Sequence, residues 1–272
     1  MGIKKIFTVL FLAFCLAFQA QSDFAKEKIE MSNPELGIYV FKINTKKYGK
    51  KIKPYMTSKV TKPEKLYNDN CFDLVVNGGF FDVKTGASVS YVTIDNELVS
   101  DVMQNEKLVS DLKKQDRLEK VLSRGEFRIL ENKRGKLKFD IDYHTSEISQ
   151  KGYKIKHALQ AGPILYPSMD LVNEGFVIYE DDMVKFQSVD ILKRRARTAI
   201  GLKGKYLYIV LFTNEHKVDA NEMRDYLTET LKLEKSLAFD GGLSTALNYK
   251  NLSIGSLGKY QRKVKSFLVI EK

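Results

Sequence analysis

Apolar and polar residues alternate along much of this chain, and the alternation has period two far more often than helical spacing. "GIYVFKIN" (37–44) has the pattern of a half-buried strand, and "FDLVVN" (72–77) that of a short apolar one. "YVTIDNELVS" (91–100) predicts a hairpin turning at Asp95-Asn96, since both residue types tolerate the left-handed backbone of a tight turn. "EFRILEN" and "KLKFDIDY" predict another, with Lys133, Arg134, Gly135 and Lys136 between the alternating runs. Residues 105–123 are charged, with apolar Leu108, Leu112, Leu118 and Leu122, which suits a helix or a mobile insertion.

The second half is more regular. "ARTAIGLKGKYLYIVLFTN" (196–214) predicts two strands joined at Lys203-Gly204-Lys205. Asp219 with Glu222 three residues on is a capping pattern, and Met223, Tyr226, Leu227, Thr230 and Leu231 recur at helical spacing, so 219–233 is expected to be an amphipathic helix. "LAFDGGLSTAL" (237–247) is a short apolar run broken by Asp240, Gly241 and Gly242, and "SFLVIEK" closes the chain as a last strand. With many strands, few helices, no repeat and five unclustered prolines, the expected fold is α+β: a single domain with a mixed, mainly antiparallel sheet and a few helices.

The start of the chain follows different rules. Lys4 and Lys5 precede an apolar run from Ile6 to Phe18, followed by Ala20, Gln21 and Ser22, the order of a secretory signal. Residues 1–22 are therefore expected to be a signal peptide and 23–272 the domain, exported to a periplasmic or extracellular location; an uncleaved N-terminal anchor is the alternative. Phe14 before Cys15 disfavours lipoprotein processing. Cleavage leaves Cys71 alone, so no internal disulfide forms, and Cys71 at a strand start is expected to be buried and structural. Three scattered histidines give no zinc pattern; no cofactor is expected, and a carboxylate-bound divalent cation stays open. The net charge of +11 points to a phosphorylated substrate or association with an anionic cell envelope, and export argues against a nucleic-acid partner. The sequence is silent on oligomeric state.

Two stretches share one design. "VVNGGFFD" and "LAFDGGLSTAL" each end an apolar strand in Asn or Asp followed by Gly-Gly. One copy is an ordinary turn; two copies suggest strand ends that meet, presenting polar side chains beside backbone amides.

Four stretches in order, "NGGFF" (77–81), "QAGPIL" (160–165), "RTAIG" (197–201) and "DGGLST" (240–245), resemble the phosphodiester glycosidase family over about residues 70–270. Two departures stand out: Leu243 occupies a position where a third glycine is common, and "TNEHKVDANE" lacks a glycine before the helix. The resemblance implies hydrolysis of the bond between a sugar's anomeric carbon and a phosphodiester oxygen, N-acetylglucosamine being the expected type of sugar. Phosphate is a good leaving group, so the protein's tasks are to hold the anion, stabilise an oxocarbenium-like centre and direct water.

On this reading Arg197 is the candidate phosphate ligand, its guanidinium forking onto two oxygens with Thr198 adding a hydroxyl. Arg194 and Arg195 of the same basic run have no motif support. Asp240 is the candidate carboxylate, as base, nucleophile or electrostatic stabiliser. Gly241 and Gly242, with Ser244 and Thr245 starting a short helix, are alternatively an anion cradle. Asn77 is the third catalytic candidate, bonding a sugar hydroxyl or N-acetyl group, with Gly78 and Gly79 admitting the ring. Gln160, Gly162 and Pro163 are expected to form a second wall. Of Phe80 and Phe81, adjacent in a strand, at most one should line the cleft. Asp82 and Glu215 are the nearest candidates for a second carboxylate. A non-catalytic phosphoglycan-binding protein and a P–O-cleaving phosphodiesterase are the competing classes.

Overall fold

The computed structural model describes residues 29–188 and 190–272, so the expected signal peptide and Cys15 lie outside the described residues. Three sheets carry the fold. The first has six strands in the spatial order Ile29–Glu35, Ile38–Asn44, Tyr206–Phe212, Arg197–Lys203, Lys235–Ala238 and Ile164–Tyr166. The second runs Leu252–Gly255, Ala246–Tyr249, Phe72–Asn77, Val264–Glu271 and Ile52–Thr61. The third runs Glu97–Ser100, Val92–Ile94, Tyr153–Gln160, Gly125–Asn132 and Leu137–Tyr143. A separate hairpin joins Val177–Glu180 to Met183–Gln187.

The architecture is α+β, mainly strands with few helices, as the periodicity predicts. Instead of one mixed sheet there are three, and every ladder among the described residues is antiparallel. Six of these fourteen ladders are hairpins closed by short turns, and the others join strands distant in the chain.

All three sheets turn one face to a common core. Phe41, Ile43 and Ile209 reach it from the first, Leu74, Val76 and Leu268 from the second, and Phe127, Ile129 and Leu159 from the third. The period of two is visible in Tyr206–Phe212: Leu207, Ile209 and Leu211 enter this core, while Tyr208, Val210 and Phe212 face the other way onto Met223 and Leu227. Those two belong to the capped helix. Its α-helical part is Ala220–Asp225, with the Asp219–Glu222 capping box formed, and a π turn, Tyr226–Thr230, continues it.

Both predicted hairpins are present, and Asp95 and Asn96 take φ values of 51° and 70° at the first turn. The charged insertion is helical, Glu106–Lys114 then Leu118–Leu122, interrupted where Asp116 adopts φ 51°. Val109, Leu112, Leu118 and Val121 form its own small core. Cys71 corrects the sequence reading: it is an exposed free thiol in the turn before Phe72–Asn77, outside the strand and its packing. The strand Ile52–Thr61 and the helix Pro63–Asp69 were not foreseen. Pro54 interrupts the first pattern, and it is accommodated because this strand lies at a sheet edge.

Candidate active site

The two Gly-Gly strand ends meet. Asn77 Nδ2 donates to the Asp240 carbonyl at 2.6 Å, and the Asp240 amide donates to the Gly78 carbonyl at 3.0 Å. Asn77 Oδ1 in turn accepts from Thr198 Oγ1 at 2.8 Å and from the Ala246 amide at 3.1 Å. One fully buried amide thus ties the first sheet to the second. Asn77 and Thr198 spend their polar atoms on this junction, so they hold Asp240 in place and do not themselves reach a sugar or phosphate.

The glycines serve the same junction. A Cβ on Gly79 would lie 2.5 Å from both the Gln160 carbonyl oxygen and Ser90 Oγ, and one on Gly78 would lie 3.0 Å from the backbone of Ser266 and Phe267. Neighbouring backbone, not a sugar ring, occupies the space that the missing side chains leave.

Asp240 itself sits half-buried in the floor of a cleft of about 610 Å³. Burial pushes its carboxyl up to about 6, opposed by the Ser244 hydroxyl, the Gly241 amide and the charges of Arg262 and Arg197. The following turn is a single 3-10 turn, Gly242–Ser244, with Thr245 ending it. Its amides are used internally: Gly242 donates to the Ala196 carbonyl at 2.7 Å, Ser244 to Gly241 at 3.1 Å and Thr245 to Gly242 at 3.2 Å. The expected helix N-terminus and anion cradle are therefore not formed. Gly242 takes φ 59°, which favours glycine, and Gly241 passes Arg197 Cδ at a distance that leaves a Cβ 3.4 Å.

Arg197 also departs from its expected role. Its Nη2 donates to the carbonyls of Asp190 at 2.7 Å, Lys193 at 2.8 Å and Ile191 at 3.3 Å, and Nε donates to Val218 at 3.3 Å. Only 3% exposed, it is wrapped in backbone oxygens and offers no fork to a ligand. Burial lowers its pKa to about 10, so it stays a cation and adds positive potential near Asp240. Gln160 and Gly162 do not line the cleft. Gln160 clamps the helical insertion, its Nε2 donating to Leu122 at 2.8 Å and Val121 at 3.2 Å. Gly162 packs against Glu174, whose two carboxylate oxygens accept the amides of Gly125 and Ile164.

The cleft's cations come from elsewhere. Arg124, Arg195, Lys217 and Arg262 line it with Asp190, Asn214, Ser188, Phe80 and Phe81. Arg124 is buried, its Cζ 3.9 Å from the Phe176 ring centre and 5.3 Å from that of Phe80, and desolvation lowers its pKa to about 9. Arg262 lies 5.8 Å from the Phe81 ring centre. Both phenylalanines border the cleft because the chain leaves the sheet at Asn77, so strand alternation no longer separates them. Asp190, not Asp82 or Glu215, is the second carboxylate of the cleft; hydrogen bonds from Lys193 and Arg195 hold its carboxyl below the usual range. Asp82 instead closes a local turn by accepting the amide of Lys84. These cations carry no local signal, since each stands in an ordinary charge mixture; the basic run at 193–197 is the nearest hint. Among the described residues, no group of three or more histidine, cysteine, aspartate or glutamate side chains could hold a metal ion.

A family model described as phosphodiester glycosidase matches residues 70–271, which include the junction and every residue named as lining the cleft. The chain belongs to the phosphodiester glycosidase family. It is accordingly a member of a family of enzymes. A comparison with curated proteins gives no match. Among solved structures, the catalytic domain of zebrafish N-acetylglucosamine-1-phosphodiester alpha-N-acetylglucosaminidase, auto-inhibited by its pro-peptide, superposes with a TM-score of 0.60 at 14% identity. That match covers 90% of this chain and 81% of the zebrafish chain. A hypothetical protein from Synechocystis superposes at 0.59 and 13% identity, covering 90% of this chain and 61% of the other. At these identities the likeness concerns the fold.

Proposed function

We propose that this protein is an exported hydrolase that cleaves the glycosidic C–O bond of a sugar-1-phosphodiester of the N-acetylglucosamine type, giving free sugar and a phosphomonoester. The observation that carries the reading is the juxtaposition of Asp240 with Arg124, Arg195, Lys217 and Arg262 in one cleft. A phosphodiester needs cations, and a developing anomeric cation needs a carboxylate; the cleft offers both. Ionised Asp240 faces the anomeric carbon and stabilises the positive charge that grows as the C–O bond breaks. Arg195, Lys217 and Arg262 hold the departing phosphate and need not protonate it, while Arg124, buried and donating to the Glu174 carbonyl at 3.0 Å, adds positive potential. Asn77, Thr198 and Arg197 act as positioning residues, fixing the backbone on either side of Asp240. Phe80 and Phe81 supply apolar surface for a sugar face. The leader-like residues 1–22 support export, and among the described residues no helix is long and apolar enough to cross a membrane.

The test is hydrolysis of an N-acetylglucosamine-1-phosphodiester by wild type and by Asp240→Asn. Turnover in the first and retained binding without turnover in the second is the expected result. Equal turnover in both removes Asp240 from the chemistry.

A further inference from the structure

The cleft mouth carries a feature that hydrolysis of a small soluble diester does not require. Leu36, Val83, Leu243, Leu257 and Tyr260 are 74%, 59%, 50%, 64% and 54% exposed. Single exposed apolar residues are ordinary on any surface, but these stand on loop tips at one end of the molecule. Val83 and Leu243 line the cleft. Leu36 tips the turn whose Gly37 carbonyl accepts the Thr213 amide at 2.8 Å, beside the loop that carries Asn214 and Lys217. Leu257 and Tyr260 sit in the turn that Asn214 joins by donating its amide to the Ser256 carbonyl at 2.8 Å, and Arg262 of the cleft follows directly.

Basic residues accompany the Val83 and Tyr260 tips. Lys84 adjoins Val83, Lys259 and Lys263 flank Tyr260, and all three are exposed, as is Lys217. Of the acidic residues nearby, Asp190 pairs with Lys193 and Arg195, Glu35 lies 3.6 Å from His216 and Asp82 closes its own turn, while Glu215 is exposed beside Gly37, so lysines and not carboxylates predominate at the Val83 and Tyr260 tips. Apolar tips ringed by lysines have the chemistry of a surface that enters the headgroup layer of an anionic bilayer, where each basic residue and each inserted side chain adds affinity. A second copy of this chain is a poor occupant, because two such rims would bring like charges together.

We propose that the cleft mouth docks on an anionic lipid surface and that the phosphodiester it receives carries a lipid on the far side of the phosphate. This rests on the reading of the cleft as a sugar-1-phosphodiester site. The lipid tail would remain in the bilayer while the sugar phosphate enters between Asp240 and the cations.

Vesicle flotation tests the docking, using residues 23–272, which retain the entire described core. Two vesicle compositions serve, phosphatidylcholine alone and phosphatidylcholine with phosphatidylglycerol. Wild type should float with the anionic vesicles only. Leu36→Asp/Leu257→Asp should lower the bound fraction about ten-fold, and Lys259→Glu/Lys263→Glu should lower it about five-fold per lysine. Both variants alter residues outside the cleft, so hydrolysis of a water-soluble sugar-1-phosphodiester should stay within about two-fold of wild type. Failure of wild type to float, equal floating of the variants, or a variant effect on oligomeric mass in place of floating overturns the docking. Failure of wild type to hydrolyse the soluble diester is a separate result, and it overturns the reading of the cleft whatever the vesicles show.

Discussion

Asp240 holds its carboxyl where burial and neighbouring donors pull in opposite directions. Burial wins, and the group titrates at about 6. If it works as an anion, kcat/KM should fall as pH drops through about 6, and a pH–rate profile of wild type checks this. Asp240→Asn should cut turnover roughly 10³-fold with affinity for the diester changed by less than about three-fold, measured by single-turnover kinetics and calorimetry. The arginines separate by what they touch. Arg197→Ala strips four backbone carbonyls of their donor and should lower stability by about 2–3 kcal/mol in denaturant unfolding. Arg262→Ala should leave stability within about 0.5 kcal/mol and raise KM about ten-fold. The motif around Arg197 was visible in the sequence, but its role was not. A guanidinium serves phosphate or backbone oxygen with the same atoms, and only the fold reveals which oxygens surround it. Arg124, Arg195, Lys217 and Arg262 were illegible for a related reason: the cleft assembles them from distant loops, and no spacing along the chain records that assembly.

At the scale of elements, period two identified half-buried strands and hairpins, and short apolar runs identified strands buried on both faces. Ile38–Asn44 shows the alternation, whereas Phe72–Asn77 and Tyr206–Phe212 were legible as short apolar runs because both of their faces are buried. Period two failed where the chain lies at an edge or in a loop, as in Ile52–Thr61 with its Pro54. The repeated strand-end Gly-Gly was legible as a meeting point, though not as a packing device. Close approach of Gly79 to Gln160 and Ser90 gives a direct prediction. Gly79→Ala should destabilise by about 2–3 kcal/mol and broaden the Asp240 environment, read from the denaturant midpoint together with kcat. Gln160→Leu should spare the strands and loosen the helical insertion 106–122, whose two carbonyls lose their clamp; hydrogen exchange there should accelerate.

The whole molecule spends stability on its site. Because the folded pKa of Asp240 lies above its ordinary 3.8, the native state binds more protons than the unfolded one between about 4 and 6. Stability from this group is therefore present at low pH and lost as pH rises through that window. Asp240→Asn removes the penalty: its Tm should exceed that of wild type at pH 7 by the equivalent of about 1–2 kcal/mol and match it at pH 4. Thermal unfolding at the two pH values measures the difference. Three antiparallel sheets around one core supply the rigidity that tolerates a half-buried carboxylate, and the same end of that scaffold carries the cleft and its apolar, basic rim.

The account turns on which bond breaks, and hydrolysis of an N-acetylglucosamine-1-phosphodiester in oxygen-18 water reads it directly, with the products followed by phosphorus NMR and mass spectrometry. Label in the free sugar and none in the phosphomonoester is the predicted result, since water then attacks the anomeric carbon. Label in the phosphate would mean P–O cleavage and would contradict the assignment of Asp240 and the cations around it.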